Sequence, residues 1–463
     1  MVLRLPKYLI RGRGAIPIRI PIPTLTPAMS RYLTTAKEQS PPHEPQPGGV
    51  EEEAQTVAGD EELTYYSPPA RPYTSAHPPP PPPPAYTHID PRSRIHILGT
   101  GNIGSILAHS LRTLASPPPV TLLLQNYTSL SNFTRAGSLI RLYRPHTEPT
   151  SATGFNTEVV TPPTGQAETV IHNLIITTKA HQTAAALQPL SNRLTSESTV
   201  LVLQNGMGII DELKDTVFPD PATRPCFVAG ITTHGAYPKG PFTVIQKGIG
   251  SIQLGYVPSD AEVLASQAGS RISWFAPAAA PTPPPLEDLT STTEYLISTL
   301  LECPLLCAEH VPLHELLSMQ AEKLAVNAVI NPLTVMYDCR NGELLENFHI
   351  TLTMRLLLQE VSAVLCALPE LAGVAGRETR FAAERLYDVV VRVARATGEN
   401  WSSMVQDVRG GKQTEVDYIN GWVVRRAREL GVAYTVNALM CAVVKGRGKI
   451  IQGREKRALP FVE

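Results

Sequence analysis

Residues Arg94-Ile-His-Ile-Leu-Gly-Thr-Gly-Asn-Ile-Gly104 decide how this chain folds. Arg94 to Leu98 reads as a short buried strand, and the stretch Asn102 to Leu114 that follows reads as a helix. Between them stands Gly99-Thr-Gly101-Asn-Ile-Gly104, in the strand-to-helix context that lifts a GxGxxG pattern above a plain Gly-rich turn. The first glycine permits the tight turn. The second lets the backbone approach a pyrophosphate, at a helix N-terminus whose free N–H groups and dipole favour an anion. Gly99, Thr100, Gly101, Asn102, Ile103 and Gly104 are therefore the expected cofactor contacts.

Working outward, Val120 to Leu124, Leu174 to Thr178 and Val200 to Leu203 read as further buried strands alternating with helical stretches. That alternation predicts an α/β fold, a Rossmann-like doubly wound parallel sheet. From about Val311 the chain reads as mostly helical. The expected organisation is a dinucleotide-binding domain over 92–310, a helical substrate and catalytic domain over 311–452 and a tail over 453–463. A Pro/Ala-rich insertion is expected at 277–285, and the active site in the cleft between the two domains.

The second strand bears on the choice of dinucleotide. An acid at its end would hold the ribose hydroxyls of NAD, and an arginine the phosphate of NADP. Here the strand ends Leu124-Gln125-Asn126-Tyr127, with neither marker. Two later strand ends carry polar residues where ligands lie in open parallel sheets: Lys179, with Gln182 one turn on, and Asn205 in Gln204-Asn-Gly-Met-Gly208.

The helical half contains Glu322-Lys-Leu-Ala-Val-Asn-Ala-Val-Ile-Asn-Pro332. A spacing of four puts Lys323, Asn327 and Asn331 on one helical face among apolar neighbours. Buried polar groups cost free energy unless partnered, so this stripe is expected to face a polar substrate. Pro332 predicts a kink just after Asn331. Asp338 to Leu344 reads as a loop. Thr414 reads as a helix N-cap, placing Glu415 in the first turn.

Composition narrows the partners. The chain has 463 residues, 40 basic and 41 acidic, for a net charge of −1. That balance gives no electrostatic case for nucleic acid or an anionic membrane and points to a small-molecule substrate. The six cysteines show neither a disulfide framework nor a zinc spacing, so no metal site is expected and a reducing compartment fits. Cys303 and Cys307, spaced by one helical turn, read as small buried hydrophobes. No uninterrupted apolar run approaches a bilayer-spanning length, so no membrane insertion is expected.

Up to Lys37 the chain carries Arg4, Lys7, Arg11, Arg13, Arg19 and Arg31, and its first acid is Glu38. Such a start over residues 1–37 resembles a mitochondrial transit segment. Several prolines there argue against a long amphipathic helix, and a cytoplasmic location is the alternative. Residues 38–91 read as a disordered Pro-rich linker ending in the run Pro78 to Pro84.

Together the motifs resemble the ketopantoate reductase family (2-dehydropantoate 2-reductase). The matching pieces are Gly99 to Gly104, Thr178-Lys-Ala-His-Gln182, Gln204-Asn-Gly-Met-Gly208 and Thr232-Thr-His-Gly235. They continue with Lys323 to Thr334 and Asn341-Gly-Glu-Leu344, and close with Glu399 to Asp407 and Thr414-Glu-Val-Asp-Tyr-Ile-Asn-Gly421. The resemblance spans roughly 92–449. It implies reduction of the ketopantoate ketone to (R)-pantoate by NADPH, a step towards pantothenate and coenzyme A. The family's catalytic lysine falls on Lys323 and its partner acid on Glu415. Substrate-holding amides fall on Asn327, Asn331 and Asn341, with a hydroxyl at Ser403. Asn205 falls at the cofactor–substrate junction, and Lys179 and Gln182 on cofactor contacts. The family commonly has arginine where Gln125 or Asn126 stands. Two alternatives remain: a same-fold reductase of another 2-oxo acid, and a retired reductase-like mitochondrial regulatory protein. A homodimer is left open.

Overall fold

Four successive buried residues, Ile95–Leu98, form the central strand β1. The computed structural model describes residues 90–160, 169–260, 262 and 282–458. The expected import segment, nearly all of the Pro-rich linker and most of the 277–285 insertion lie outside the described residues.

After β1 come α1 (Asn102–Arg112), β2 (Val120–Leu124), α2 (Tyr127–Arg135), β3 (Ile140–Tyr143), β4 (Thr150–Ala152) and β5 (Asn156–Val159). Then follow β6 (Asn173–Ile176), α3 (Ala180–Leu187), β7 (Thr199–Val202), α4 (Ile209–Thr216) and β8 (Cys226–Thr232). Next come β9 (Gly235–Gly240), β10 (Thr243–Gly248), β11 (Ile252–Val257), α5 (Ser291–Leu301) and β12 (Ala308–His310). The main sheet runs β12-β11-β8-β7-β6-β1-β2-β5. Its strands from β8 to β5 are parallel, and β11 is antiparallel to β8. β1, β2, β6 and β7 are buried throughout, as expected of parallel strands covered on both faces. The order reverses at β1, between β2 and β6, and a ligand crevice belongs at the carboxyl ends of those strands.

A second sheet, β4-β3-β10-β9, is absent from the sequence-based expectation. Its strands are short, and they announce themselves only by alternation. Ile140 and Leu142 are buried between exposed or half-buried neighbours, and both join the core cluster containing Leu107 and Leu111 of α1.

The glycine spacing is explained sterically. A Cβ on Gly99, at φ +100°, would lie 2.6 Å from the Thr178 nitrogen, and one on Gly104 would lie 2.0 Å from the Gly99 carbonyl oxygen. At Gly101 a Cβ would meet nothing within 4 Å. Two glycines let the turn pack against the neighbouring strand, and the middle one leaves the helix N-terminus open to a ligand.

The helical half comprises α6 (Leu313–Tyr337), α7 (Phe348–Ala367), α8 (Ala383–Ala396), α9 (Ser403–Arg409), α10 (Asn420–Leu430) and α11 (Thr435–Ala458). These helices share one core, to which α6 gives Leu324, Ala325, Ala328, Val329 and Leu333. α11 continues to Ala458, through the start of the expected tail at 453. The segment from Asp338 ends in a 3-10 turn at Gly342–Leu345. Thr414 caps no α-helix: Glu415 itself precedes a 3-10 turn, Val416–Tyr418, and α10 begins only at Asn420. Cys303 is buried and Cys307 exposed, because α5 ends at Leu301 and the two do not share a helical face.

By length and composition α7 could cross a membrane. Here it is a core helix. Its buried Glu360 accepts the Val436 and Asn437 N–H groups and the Asn437 Nδ2, each at 2.9 Å, and so caps the positive end of α11.

Helix α6 runs on through Pro332. A proline inside a helix leaves the carbonyl four residues earlier without its N–H partner. That carbonyl belongs to Ala328, and the fully buried Asn420 donates to it from Nδ2 at 2.8 Å. Asn420→Ala leaves the Ala328 oxygen buried and unpaired, which costs about 1–3 kcal/mol. The thermal midpoint is expected to fall by several degrees, and an unchanged midpoint would show that Asn420 does not support the helix.

Candidate active site

Helix α6 presents Lys323, Asn327 and Asn331 in one line along a cleft of about 1770 Å³, opposite the Gly99–Ile103 turn. The cleft is also lined by Lys179, Gln182, Asn205, Asn341, Ser403 and Glu415. The structure thus brings the expected site residues together, with one exception. Gly104 is buried beneath the turn and serves its packing. Asn102 is partly tied down, donating from Nδ2 to the Ala236 carbonyl at 3.2 Å.

Lys323 is aimed by the backbone. Its Nζ donates to the carbonyl of Thr232, the last residue of β8, at 2.7 Å. Burial pulls the Lys323 ammonium down to about 8, against the opposing pull of the Glu415 carboxylate. The resemblance makes Glu415 the partner acid of the lysine, but no direct bond joins the two. Instead Glu415, 5 % exposed, supports the lysine through its field, while its oxygens are held elsewhere. Oε1 accepts the Ala180 N–H at 3.2 Å and Oε2 the Asn205 Nδ2 at 3.3 Å.

Lys179 lies 2.7 Å from Asp407 Oδ2 and 3.7 Å from Glu415 Oε2, so the expected cofactor contact is also an ion pair linking the sheet half to the helical half. Burial works against the Lys179 charge, but Glu415 and Asp407 outweigh it and raise its pKa. Asp407 is the residue that sequence reasoning missed as a site group. It lies one turn after Ser403 on α9, in a segment otherwise buried through Met404, Val405 and Val408. The four-residue spacing that exposed the α6 stripe was the available signal.

The carboxamides differ in what they leave free. Those of Asn327 and Asn331 hydrogen-bond no other described residue and face the cleft. Asn341 donates from Nδ2 to Thr397 Oγ1 at 2.9 Å, leaving Oδ1 buried and unpartnered. Such an orphaned acceptor calls for a donor from a ligand or water. Ser403 is exposed at the cleft, while Ser402 caps α9 and pairs with Thr334 Oγ1 of α6 at 2.8 Å, fixing α9 beside the stripe. Gln182 is exposed, and its side chain hydrogen-bonds no other described residue. His234 is structural. Its Nδ1 accepts the Gly250 N–H at 3.0 Å, which leaves Nε2 to donate to the Leu306 carbonyl at 3.1 Å, and burial keeps it neutral.

Comparison with known proteins fits this layout. Residues 95–259 match the family model described as "Ketopantoate reductase PanE/ApbA", and residues 315–448 match its C-terminal model. A probable 2-dehydropantoate 2-reductase of Schizosaccharomyces pombe is 31 % identical over 356 residues, covering 76 % of this chain and 96 % of that protein. The chain belongs to the ketopantoate reductase family. As a member it is an oxidoreductase, and the two family models divide it as the fold does. A 2-dehydropantoate 2-reductase of Vibrio cholerae is 30 % identical, over 76 % of this chain and 96 % of its own. Among solved structures, a probable 2-dehydropantoate 2-reductase of Bacillus subtilis is 26 % identical with a TM-score of 0.52, over 76 % of this chain and 99 % of its own. D-mandelate dehydrogenase, solved with NADH and anilino(oxo)acetate, shares the fold with a TM-score of 0.58 at 20 % identity, over 77 % of this chain and 99 % of its own.

Proposed function

We propose that this ketopantoate reductase family member reduces the ketone of ketopantoate to (R)-pantoate with NADPH, on the route to pantothenate and coenzyme A. The observation that carries the reading is the half-buried Lys323 in line with Asn327 and Asn331, whose amides hydrogen-bond no other described residue, across a cleft from a dinucleotide turn. The names of the relatives support the same substrate.

The turn fits a pyrophosphate, since Gly101 leaves open space at the N-terminus of α1. Gly99 to Ile103, Lys179 and Gln182 would hold NADPH, which when bound supplies the hydride. Negative charge grows on the substrate oxygen as hydride reaches the carbonyl carbon. Lys323 stabilises that charge and gives up a proton from Nζ. Asn327 and Asn331 orient the carboxylate and hydroxyl without adding net charge, and the free Asn341 Oδ1 accepts from a hydroxyl. Ser403 adds a hydroxyl at the same wall. Asn205 holds Glu415 at the junction of cofactor and substrate.

The preference for NADPH rests on the family resemblance. Asn126 spends its side chain capping α2, accepting the Ser129 N–H at 2.8 Å, and Gln125 is uncharged. Losing a charged contact to the phosphate weakens discrimination, since such a bond is worth about 1.5–3 kcal/mol. The Arg-rich start supports import into mitochondria, with the cytoplasm as alternative, and the location of a full-length fluorescent fusion decides between them.

Lys323→Ala is expected to lower ketopantoate turnover by about 100-fold or more, the lower end of general acid help, while NADPH still binds. Near-normal turnover would remove the assignment. In the unaltered protein kcat/KM should favour NADPH over NADH by about tenfold, and a preference for NADH would overturn the cofactor assignment.

A further inference from the structure

Two buried carboxylates share the Lys179 ammonium, and they share it unevenly. Lys179 Nζ is at hydrogen-bond distance from Asp407, 2.7 Å, and at 3.7 Å from Glu415. The other partners of Glu415 are neutral: the Ala180 N–H and the Asn205 amide. Lys179, drawn to Asp407 at the shorter distance, offsets the Glu415 charge only in part. Lys323 in turn has Glu415 as the carboxylate that favours its charged form. The group therefore balances as two ammoniums and two carboxylates, with Glu415 acting on both bases and Asp407 bonded to Lys179.

We propose that Asp407 is a positioning residue, which by holding Lys179 keeps Glu415 as the counter-charge of Lys323. The proposal rests on Lys323 being the proton donor. It goes further in assigning to a residue outside the cleft lining the division of charge within it. Lys179 and His181 face the cluster from the start of α3, Asp407 and Lys412 from α9 and the loop after it, Asp417 from beyond Glu415, and Lys323 from α6. Burial keeps His181 neutral, so it does not alter the balance. Ser402 anchors α9 to α6 through Thr334, which fixes Asp407 relative to the stripe.

Neutralising Asp407 leaves Glu415 as the nearest acid to Lys179. The ammonium then closes on Glu415 and cancels its field at Lys323, which becomes easier to deprotonate. The test is kcat/KM for ketopantoate against pH, at saturating NADPH, in the full-length protein. Asp407→Asn is expected to move the alkaline loss of activity to lower pH by about one unit, so that its deficit against the unaltered protein deepens up to about tenfold as pH rises. Adding Lys179→Met to Asp407→Asn should return the loss towards its original pH, since no ammonium remains to quench Glu415. Asp407→Glu, which keeps the charge, should leave it in place. A uniform loss of activity with an unmoved alkaline limb in Asp407→Asn overturns the proposal, as does a double variant whose limb stays displaced. If Asp407→Asn does not fold, Asp407→Ser carries the same comparison. Absence of ketopantoate-dependent NADPH oxidation in the unaltered protein would instead mark the failure of the proton-donor reading, and the proposal falls with it.

Discussion

The structure turns on keeping one ammonium, that of Lys323, charged inside a cleft beside an apolar helix core. An isolated buried charge is costly, and the group answers by losing its proton more readily. Three things hold it in the useful range. The Thr232 carbonyl at the end of β8 accepts from it, Glu415 opposes the effect of burial, and the cleft leaves its tip within reach of a ligand. The first comes from the sheet half and the second from the helical half. The site therefore exists only while both halves are docked, and the Lys179–Asp407 pair crosses the same boundary.

The supports further out follow from the same need. Helix α6 must continue past Asn331 to carry three polar groups on one face, yet it contains Pro332. Asn420 supplies the donor that the proline lacks, and is itself linked to Asn437 at the start of α11 and through it to Glu360 of α7. A polar network deep in the helical core thus keeps the stripe continuous. It is tolerable there because nearly every member finds a partner.

Much of this was legible in the sequence, and the reasons are local. Gly99 to Gly104 is readable because the strand before it and the helix after it lie within a few residues, although the atom that Gly99 makes room for belongs to distant Thr178. The α6 stripe is readable because four-residue spacing is a property of any helix. What escaped depends on distant partners. Asp407 gains its meaning only from Lys179, 228 residues earlier in the chain. The sheet of β3, β4, β9 and β10 is assembled from strands of three to six residues whose pairing is non-local. Thr414 carried the composition of a helix cap, but tertiary contacts place a 3-10 turn there, which turns Glu415 inward to Ala180 and Asn205. The donor beneath Pro332 escaped as well, since Asn420 lies 92 residues from the Ala328 carbonyl it meets.

The central claim is that Lys323 passes a proton to the nascent alkoxide from an environment that lowers its pKa to about 8. The direct measurement is the pH dependence of the reaction in both directions. Ketopantoate reduction needs the ammonium, and its kcat/KM should fall as pH rises through about 8. Pantoate oxidation needs the free amine, and its kcat/KM should rise through the same pH. Profiles that stay flat across that region in both directions would contradict the account.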